Sequence, residues 1–303
     1  MAEVKSYTRK DVALLDVILG YDCNLACDYC TISPEMRPRS LPTPEVVRAL
    51  REGRAAGFEA VSFTGGEPTL RADLLGLVGA AKRLGFSDVK VQTNGLMLAA
   101  PGNLDRLISA GLTRLHISIH THEREPYERL VRREGTFALM RQALELAVSR
   151  PIAFVADVII KDDTWRKLPA AIAWLADAGV KEVHLWYVSL SDGNKDNLAS
   201  LPRMTEVMPT LLAALSLGAA RGLDVRSLHV PRCLLGEQHA HAWDPGADRV
   251  RVVSPDATFD LKDSRLAGRM HVAACEGCRF RAVCPGVRPD YVERFGETEF
   301  RAV

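Results

Sequence analysis

Three cysteines near the start of the chain, Cys23, Cys27 and Cys30, are spaced closely enough to bind one metal centre. They follow an apolar run at residues 12–20, which predicts a buried strand, so the cysteines lie on the loop after it. Three thiolates can hold three corners of a [4Fe–4S] cluster, whereas a fourth would saturate it. Because the next cysteine is Cys233, we expect one iron to stay open for a ligand that is not protein.

The other four cysteines, Cys233, Cys275, Cys278 and Cys284, form a second group. The Cys-x2-Cys pair with a third cysteine shortly after it is typical of a tetrahedral zinc site or of an iron–sulfur site. Clustered cysteines in a cytosolic protein indicate metal binding rather than disulfides. Zinc therefore remains an alternative to iron and sulfur for this group.

The segments that must position both groups alternate between strand and helix up to about residue 230. Several predicted strands are continuous apolar runs, as in parallel strands that are covered on both faces. We predict strands at 12–20, 60–64, 88–93, 114–120, 152–160 and 182–190, and helices at 44–57, 71–84, 102–110, 124–149, 164–178 and 203–221. Six such units predict an α/β fold, a partial parallel (β/α)6 barrel with a small cysteine-rich C-terminal module.

A change of pattern near Pro231 predicts a second unit. Residues 250–261 are typical of a short hairpin, three cysteines follow, and residues 290–295 fit one short helix. We therefore place the barrel at residues 1–225 and the cysteine-rich module at 226–303.

Composition narrows the class of protein. The formal net charge of the 303 residues is +1, which gives no support to nucleic-acid binding. No apolar stretch approaches the roughly 20 residues that span a bilayer, and the polar segment 1–10 lacks a signal-peptide core. We expect a cytoplasmic protein without a nucleic-acid or membrane partner.

The motifs at the ends of successive predicted strands resemble those of the radical S-adenosylmethionine (radical SAM) superfamily. The Cys-x3-Cys-x2-Cys spacing, with Tyr29 before the last cysteine, is similar to its signature. Gly65-Gly66-Glu67-Pro68 looks like its GGEP motif. Further matches are Thr93 in Thr-Asn-Gly, Ser118 in Ser-Ile-His, and Lys161. The resemblance covers roughly residues 12–190 and is nearest to the MoaA/SPASM/twitch-like branch.

The resemblance implies two cofactors at the first cysteine group, a [4Fe–4S] cluster and S-adenosylmethionine (SAM). The open iron would be chelated by the amino and carboxylate groups of SAM. Reductive cleavage of SAM would give a 5′-deoxyadenosyl radical that abstracts a hydrogen atom from substrate. The residues implied to bind SAM are Tyr29, Gly65, Gly66, Glu67, Pro68, Thr93, Ser118 and Lys161. The residue types fit, since Glu67 could accept charge-assisted hydrogen bonds from the ammonium group. No catalytic residue for the substrate is identified.

The second cysteine group resembles part of the SPASM and twitch extensions, which hold auxiliary [4Fe–4S] clusters. Only four cysteines remain, so the resemblance implies a single auxiliary cluster on Cys233, Cys275, Cys278 and Cys284. Such a cluster would favour net oxidation or bond formation, as in an oxidoreductase, without excluding epimerisation.

The substrate is predicted only as a class. Many SPASM-type enzymes modify peptides, so we expect a peptide substrate, with a separate protein that binds its leader, and a flavodoxin- or ferredoxin-like electron donor. The alternative is an enzyme of small-molecule natural-product or cofactor biosynthesis. An alternative of another class is a non-catalytic iron–sulfur or zinc electron carrier or scaffold.

Overall fold

One ten-stranded sheet organises the chain in the computed structural model, which describes residues 12–243, 249–264 and 270–303. The sheet order is β10-β9-β1-β2-β3-β4-β5-β6-β7-β8. The strands are β1 Leu14–Ile18, β2 Ala60–Thr64, β3 Asp88–Thr93, β4 Arg114–Ser118, β5 Ala153–Ile160, β6 Glu182–Tyr187, β7 Asp224–Leu228, β8 Ala242–Trp243, β9 Val250–Val253 and β10 Thr258–Asp260. The predicted polar segment 1–10 lies outside the described residues.

Parallel pairing connects β1 through β8, so the carboxyl ends of these strands share one edge. This confirms the predicted α/β fold with its partial parallel barrel. The helices are α1 Thr43–Ala55, α2 Leu74–Arg83, α3 Asn103–Ala110, α4 Arg124–Val131, α5 Thr136–Val148, α6 Leu168–Asp177, α7 Met204–Ala220, α8 Arg232–Leu235 and α9 Pro289–Phe295. Apolar residues of the strands and helices form one buried core.

The single helix predicted at 124–149 is wrong, because the chain forms two helices there. Arg132, at the end of α4, has a φ of 54°, and Gly135, before α5, has a φ of 73°. Left-handed backbone at both positions ends the first helix and re-aims the chain before the second. Apolar periodicity continues across the break, which is why the sequence pattern does not reveal it.

Strands from the C-terminal segment extend the same sheet on both sides. On one side β9 pairs with β1 in parallel and forms the predicted hairpin with β10. On the other side β7, which the sequence pattern did not predict, pairs with β6 and carries β8. The sheet thus runs across the predicted boundary at residues 225 and 226, and that boundary stays a prediction. No helix in the described part of the chain is long and apolar enough to cross a membrane.

Candidate functional site

A cavity of about 690 Å³ opens inside the barrel and is lined by the first cysteine group. Cys23, Cys27 and Cys30 lie on the loop between β1 and α1 and face this cavity. Other predicted site residues in its wall are Tyr29, Gly65, Gly66, Thr93 and Ser118. The fold therefore brings the motifs of four successive strand ends around one space.

Hydrogen bonds to the backbone hold the cysteine loop in place from two sides. The amides of Ala26 and Asp28 donate to the carbonyls of Val131 and Leu130 at 3.3 and 3.0 Å, at the end of α4. The guanidinium of Arg37 donates to the carbonyls of Cys23 and Leu25 at 3.0 and 2.7 Å. The break after α4 thus creates acceptors for the loop.

The two glycines of the GGEP motif are required by close contact with the chain that enters the cysteine loop. A Cβ on Gly65 would lie 2.2 Å from the carbonyl oxygen of Gly20, and one on Gly66 would lie 2.1 Å from that of Asp22. The amide of Gly66 donates to Gly20 at 2.9 Å. Any side chain here would push the cysteine loop away from β2.

Glu67 is buried, and its carboxylate joins the ends of two strands. Its Oε1 accepts hydrogen bonds from the amide and hydroxyl of Thr69 and from the hydroxyl of Thr93. Its Oε2 accepts one, from the amide of Asn94 at 2.7 Å. Burial raises the pKa of Glu67. Since a carboxylate has about four acceptor sites, Oε2 retains capacity for one further donor.

Tyr29 is fixed through its side chain and its backbone. Its hydroxyl and Nε2 of His120 are 2.7 Å apart, and the side chain of Asn194 donates to its carbonyl at 2.6 Å. His120 has a φ of 64°, a strained backbone for a residue with a side chain. His120 lies two residues after Ser118, and both residues line the cavity.

Lys161 is buried within a group of carboxylates and is not among the described residues that line the cavity. Its Nζ is 3.2 Å from Asp28, 2.8 Å from Asp162 and 2.7 Å from Asp163. Burial acts to lower the pKa of Lys161, but the carboxylates outweigh it and raise the pKa. Through Asp28, this ion-pair group reaches the cysteine loop.

The three thiols of the first group fit an iron site. All three are free, and each contacts the same cavity. Burial, and then the neighbouring cysteines, raise the pKa of Cys27 to about 12, so a bare thiolate is disfavoured there. Iron ions would supply the positive charge that a thiolate at this position lacks.

The four C-terminal cysteines also meet in one place. Cys233, from α8, lines a small cavity together with Cys275, Cys278 and Cys284. All four are free thiols. Cys233 is far from the other three cysteines in sequence, but its position at the start of α8 places it next to them in space. The donor set therefore fits a four-thiolate metal site.

Sequence reasoning missed a set of polar side chains inside the barrel. His116 of β4, Asp157 of β5 and His184 of β6 are buried and line the large cavity. Burial lowers the pKa of His116 to about 4. The available signal was polar residues at every second position of β4 and β6, which is typical of side chains that share one face.

Comparison with known sequences places this geometry in context. A family profile described as the radical SAM superfamily matches residues 17–175. A probable GTP 3′,8-cyclase of Methanopyrus kandleri is 34% identical over 170 residues, which are 55% of this chain and 54% of the relative. The molybdenum cofactor biosynthesis protein moc-5 of Caenorhabditis elegans is 36% identical over 138 residues, 44% of this chain and 22% of that protein. The chain thus spans about half or less of these relatives.

Two solved structures share the fold over nearly the whole chain. SuiB of Streptococcus suis, bound to S-adenosylmethionine, has a TM-score of 0.69 at 12% identity, covering 97% of this chain and 77% of that one. The protein anSMEcpe with bound AdoMet has a TM-score of 0.66 at 14% identity, covering 96% and 93%. At these identities the likeness concerns the fold.

Proposed function

Because the chain belongs to the radical SAM superfamily, whose members are enzymes that use a [4Fe–4S] cluster and SAM, we propose that it generates a radical to act on a small polar molecule. Cys23, Cys27 and Cys30 hold the cluster in this proposal. The observation that carries it is the single cavity that the cysteine loop shares with the polar interior of the barrel.

Two lines of support favour a small molecule over a peptide. The curated relatives are named for GTP cyclisation and molybdenum cofactor biosynthesis, which are reactions of small molecules. The cavity also carries charged and hydrogen-bonding groups deep between the strands, among them Lys90, His116 and Asp157. Such groups suit a compact polar ligand. The peptide substrate and its separate leader-binding protein therefore become the second choice.

When bound, and with one electron from an external reductant, the cluster and SAM would supply a 5′-deoxyadenosyl radical for hydrogen abstraction from substrate. The chain's own residues position these groups. Arg37 and the end of α4 fix the loop, and the Tyr29–His120 pair fixes the residue before Cys30. The barrel wall keeps bulk water away from the reacting atoms.

The SAM contacts remain part of the proposal. Ser118, Thr93, Gly65, Gly66 and Tyr29 line the cavity, which supports their assignment. Glu67 can receive the SAM ammonium only through Oε2, since Oε1 already accepts three hydrogen bonds. Pro68 begins the turn after Glu67. For Lys161 the surrounding carboxylates support a role in holding the loop through Asp28.

A first experiment tests the chemistry. The clusters of the purified protein are reconstituted anaerobically with iron and sulfide. The protein is then reduced in the presence of SAM and assayed for 5′-deoxyadenosine. We expect formation of 5′-deoxyadenosine, and its loss by at least about a hundredfold in Cys27→Ala, which lacks one thiolate ligand. Intact clusters without any 5′-deoxyadenosine would support the non-catalytic electron carrier instead.

A second experiment tests the substrate class. Cells are grown in heavy water, and their extract is freed of SAM and 5′-deoxyadenosine and divided into a low-molecular-mass fraction and a peptide fraction, each of which is assayed with unlabelled SAM. We expect deuterium in 5′-deoxyadenosine only with the low-molecular-mass fraction, because the abstracted atom comes from substrate. GTP is the first pure compound to test, given the names of the relatives. Label from the peptide fraction alone would restore the peptide alternative.

We also propose that Cys233, Cys275, Cys278 and Cys284 bind an auxiliary [4Fe–4S] cluster. Their shared cavity supports a four-thiolate site. Two cubane clusters predict about eight irons per reconstituted chain, falling to about four when Cys275 and Cys278 are both replaced by alanine, which leaves only two thiolates at the second site. About four irons with one zinc in the unaltered chain would assign the second site to structural zinc.

A further inference from the structure

The buried cluster of His116, Asp157 and His184 presents three ligand atoms to one point in the barrel interior. Nδ1 of His116 lies 3.3 Å from Oδ2 of Asp157, and Nδ1 of His184 lies 3.8 Å from Oδ1. One such atom from each residue lies within 4.8 Å of the other two. Two ligands bonded at ordinary lengths to a tetrahedral metal ion lie about 3.4 Å apart, so small shifts of these side chains would bring them to one ion.

The orientation of His184 is set by a carboxylate behind it. Nε2 of His184 lies 2.9 Å from Oε1 of Glu182, on the same strand. This contact holds the imidazole ring so that Nδ1 is the nitrogen that faces Asp157. A carboxylate that fixes the far nitrogen of an imidazole is the usual support of a metal-binding histidine.

Asp157 is oriented as well. The indole N–H of Trp186 donates to its Oδ1 at 3.1 Å. All three residues come from neighbouring strands, and the register places Asp157 opposite Ser118 on one side and opposite His184 on the other. Strand positions are more rigid than loop positions, so the cluster is held ready without a bound ion.

We propose that His116, Asp157 and His184 bind a divalent first-row transition-metal cation, separate from both cysteine sites. Two imidazoles and one carboxylate suit manganese, iron, cobalt or zinc and leave coordination positions open. The open positions face the cavity, where the cation binds an oxygen or nitrogen atom of the substrate. This substrate role rests on the proposed function, whereas metal binding itself does not.

Manganese is the probe that separates this site from the cysteines, because thiolates prefer softer ions. The protein with its clusters rebuilt and oxidised is titrated with Mn²⁺, without SAM or substrate. Free Mn²⁺ is followed by its six-line electron paramagnetic resonance spectrum. We expect about one bound Mn²⁺ per chain, and at least about tenfold weaker binding in Asp157→Asn and in His116→Gln.

Asp16→Asn is the matched control, because Asp16 lines the same cavity from β1 and lies outside the cluster. Its Oδ1 accepts a hydrogen bond from the hydroxyl of Thr64 at 3.3 Å, and the amide oxygen of asparagine can accept the same bond. We expect this variant to bind Mn²⁺ as the unaltered protein does. Circular dichroism and thermal unfolding verify that each variant is folded.

Two results would overturn the metal site. One is the absence of saturable binding by the unaltered protein both of Mn²⁺ and, in a parallel titration, of Co²⁺. The other is binding that Asp157→Asn and His116→Gln, both folded, leave unchanged. Either result leaves the cluster as a hydrogen-bonded group of the barrel interior. Because SAM is absent from the titration, neither result depends on whether the chain cleaves SAM.

Discussion

Arg37 is not one of the proposed iron ligands, but its guanidinium contacts the backbone of the cysteine loop. Its two hydrogen bonds to the carbonyls of Cys23 and Leu25 fix the segment that carries Cys23. A hydrogen bond that involves a charged group contributes about 1.5–3 kcal/mol. Loss of these hydrogen bonds should disturb the positions of the thiols, because the loop around them has little regular secondary structure.

Arg37→Gln should therefore loosen the first cluster. We expect its iron to be lost to a chelator about tenfold faster, the change that corresponds to about 1.4 kcal/mol of lost anchoring. The measurement is cluster absorbance against time after anaerobic addition of the chelator. Arg48→Gln is the control, since Arg48 is exposed and meets Glu52 only at 4.0 Å. Equal rates in both variants would mean that Arg37 does not anchor the loop.

A substitution at Gly66 tests the importance of the close contact between the end of β2 and the cysteine loop. In Gly66→Ala the new methyl group would meet the carbonyl oxygen of Asp22, so we expect a loss of about 2–4 kcal/mol in the free energy of unfolding and poor iron uptake. Gly76→Ala is the matched control. Gly76 lies in α2 with open space around its Cα, so alanine should stabilise the helix by up to about 1 kcal/mol. Denaturant unfolding and iron content measure both effects.

At the scale of elements, hydrogen bonds between the short loops that join strands and helices position the site. Arg71 lies just before α2, and its Nη1 donates to the carbonyls of Leu19 and Leu41 at 2.9 and 2.8 Å. Its Nη2 pairs with Asp73 at 2.7 Å. One guanidinium thus connects the end of β1, the start of α1 and the start of α2. These connections keep the two ends of the cysteine loop together.

The Arg71–Asp73 pair predicts a pH dependence of stability. Hydrogen bonds from Arg71 lower the pKa of Asp73 from 3.8 to about 2. The folded protein therefore holds this carboxylate ionised more strongly than the unfolded chain does. The stabilisation of the fold by the ionised Asp73 is complete above about pH 4 and is lost as the pH falls through about 2.

Asp73→Asn should cost about 1–2 kcal/mol at pH 7, and less at pH 3, because the unaltered protein has by then lost part of the contribution. Urea unfolding at the two pH values measures the difference. Asp105→Asn is the control, since Asp105 forms an exposed ion pair with Arg150 and should change little. A cost for Asp73→Asn that is the same at both pH values would contradict the prediction.

At the scale of the whole molecule, the sheet joins the C-terminal segment to the first strand. The parallel pairing of β9 with β1 covers the strand that leads into the cysteine loop. The amide of Leu14 donates to the carbonyl of Arg249 at 2.8 Å, and the hydroxyl of Tyr21 donates to Asp256 at 2.7 Å. The first site is therefore supported by residues more than two hundred positions away.

Val252→Asp should destabilise the C-terminal segment and the first cysteine site together. Val252 is buried in β9, so a carboxylate there costs about 3 kcal/mol or more. We expect a lower midpoint of thermal unfolding together with faster loss of iron from the first cluster. Thr258→Asp, at an exposed position of β10, is the control. A first cluster that keeps its normal lifetime in destabilised Val252→Asp would show that the two parts unfold independently.

Much of the site was predictable because its motifs are short and local. The spacing of Cys23, Cys27 and Cys30 and the position of Gly65 and Gly66 after a strand follow from the order of residues alone. The parallel barrel was predictable too, since each apolar run and each helix period is visible within about ten residues. The purpose of the two glycines was not predictable. Their neighbours, Gly20 and Asp22, come from another strand end.

The sequence by itself determined the two groups of clustered cysteines, the βα alternation and the family that these imply. Only the tertiary structure decided that β9 covers β1, that the helix after Ser118 breaks at Arg132, and that His116, Asp157 and His184 meet. The physical reason is that a two-residue period assigns a side chain to one face of a strand. It does not say which strands are neighbours, and that is set by packing across the whole sheet.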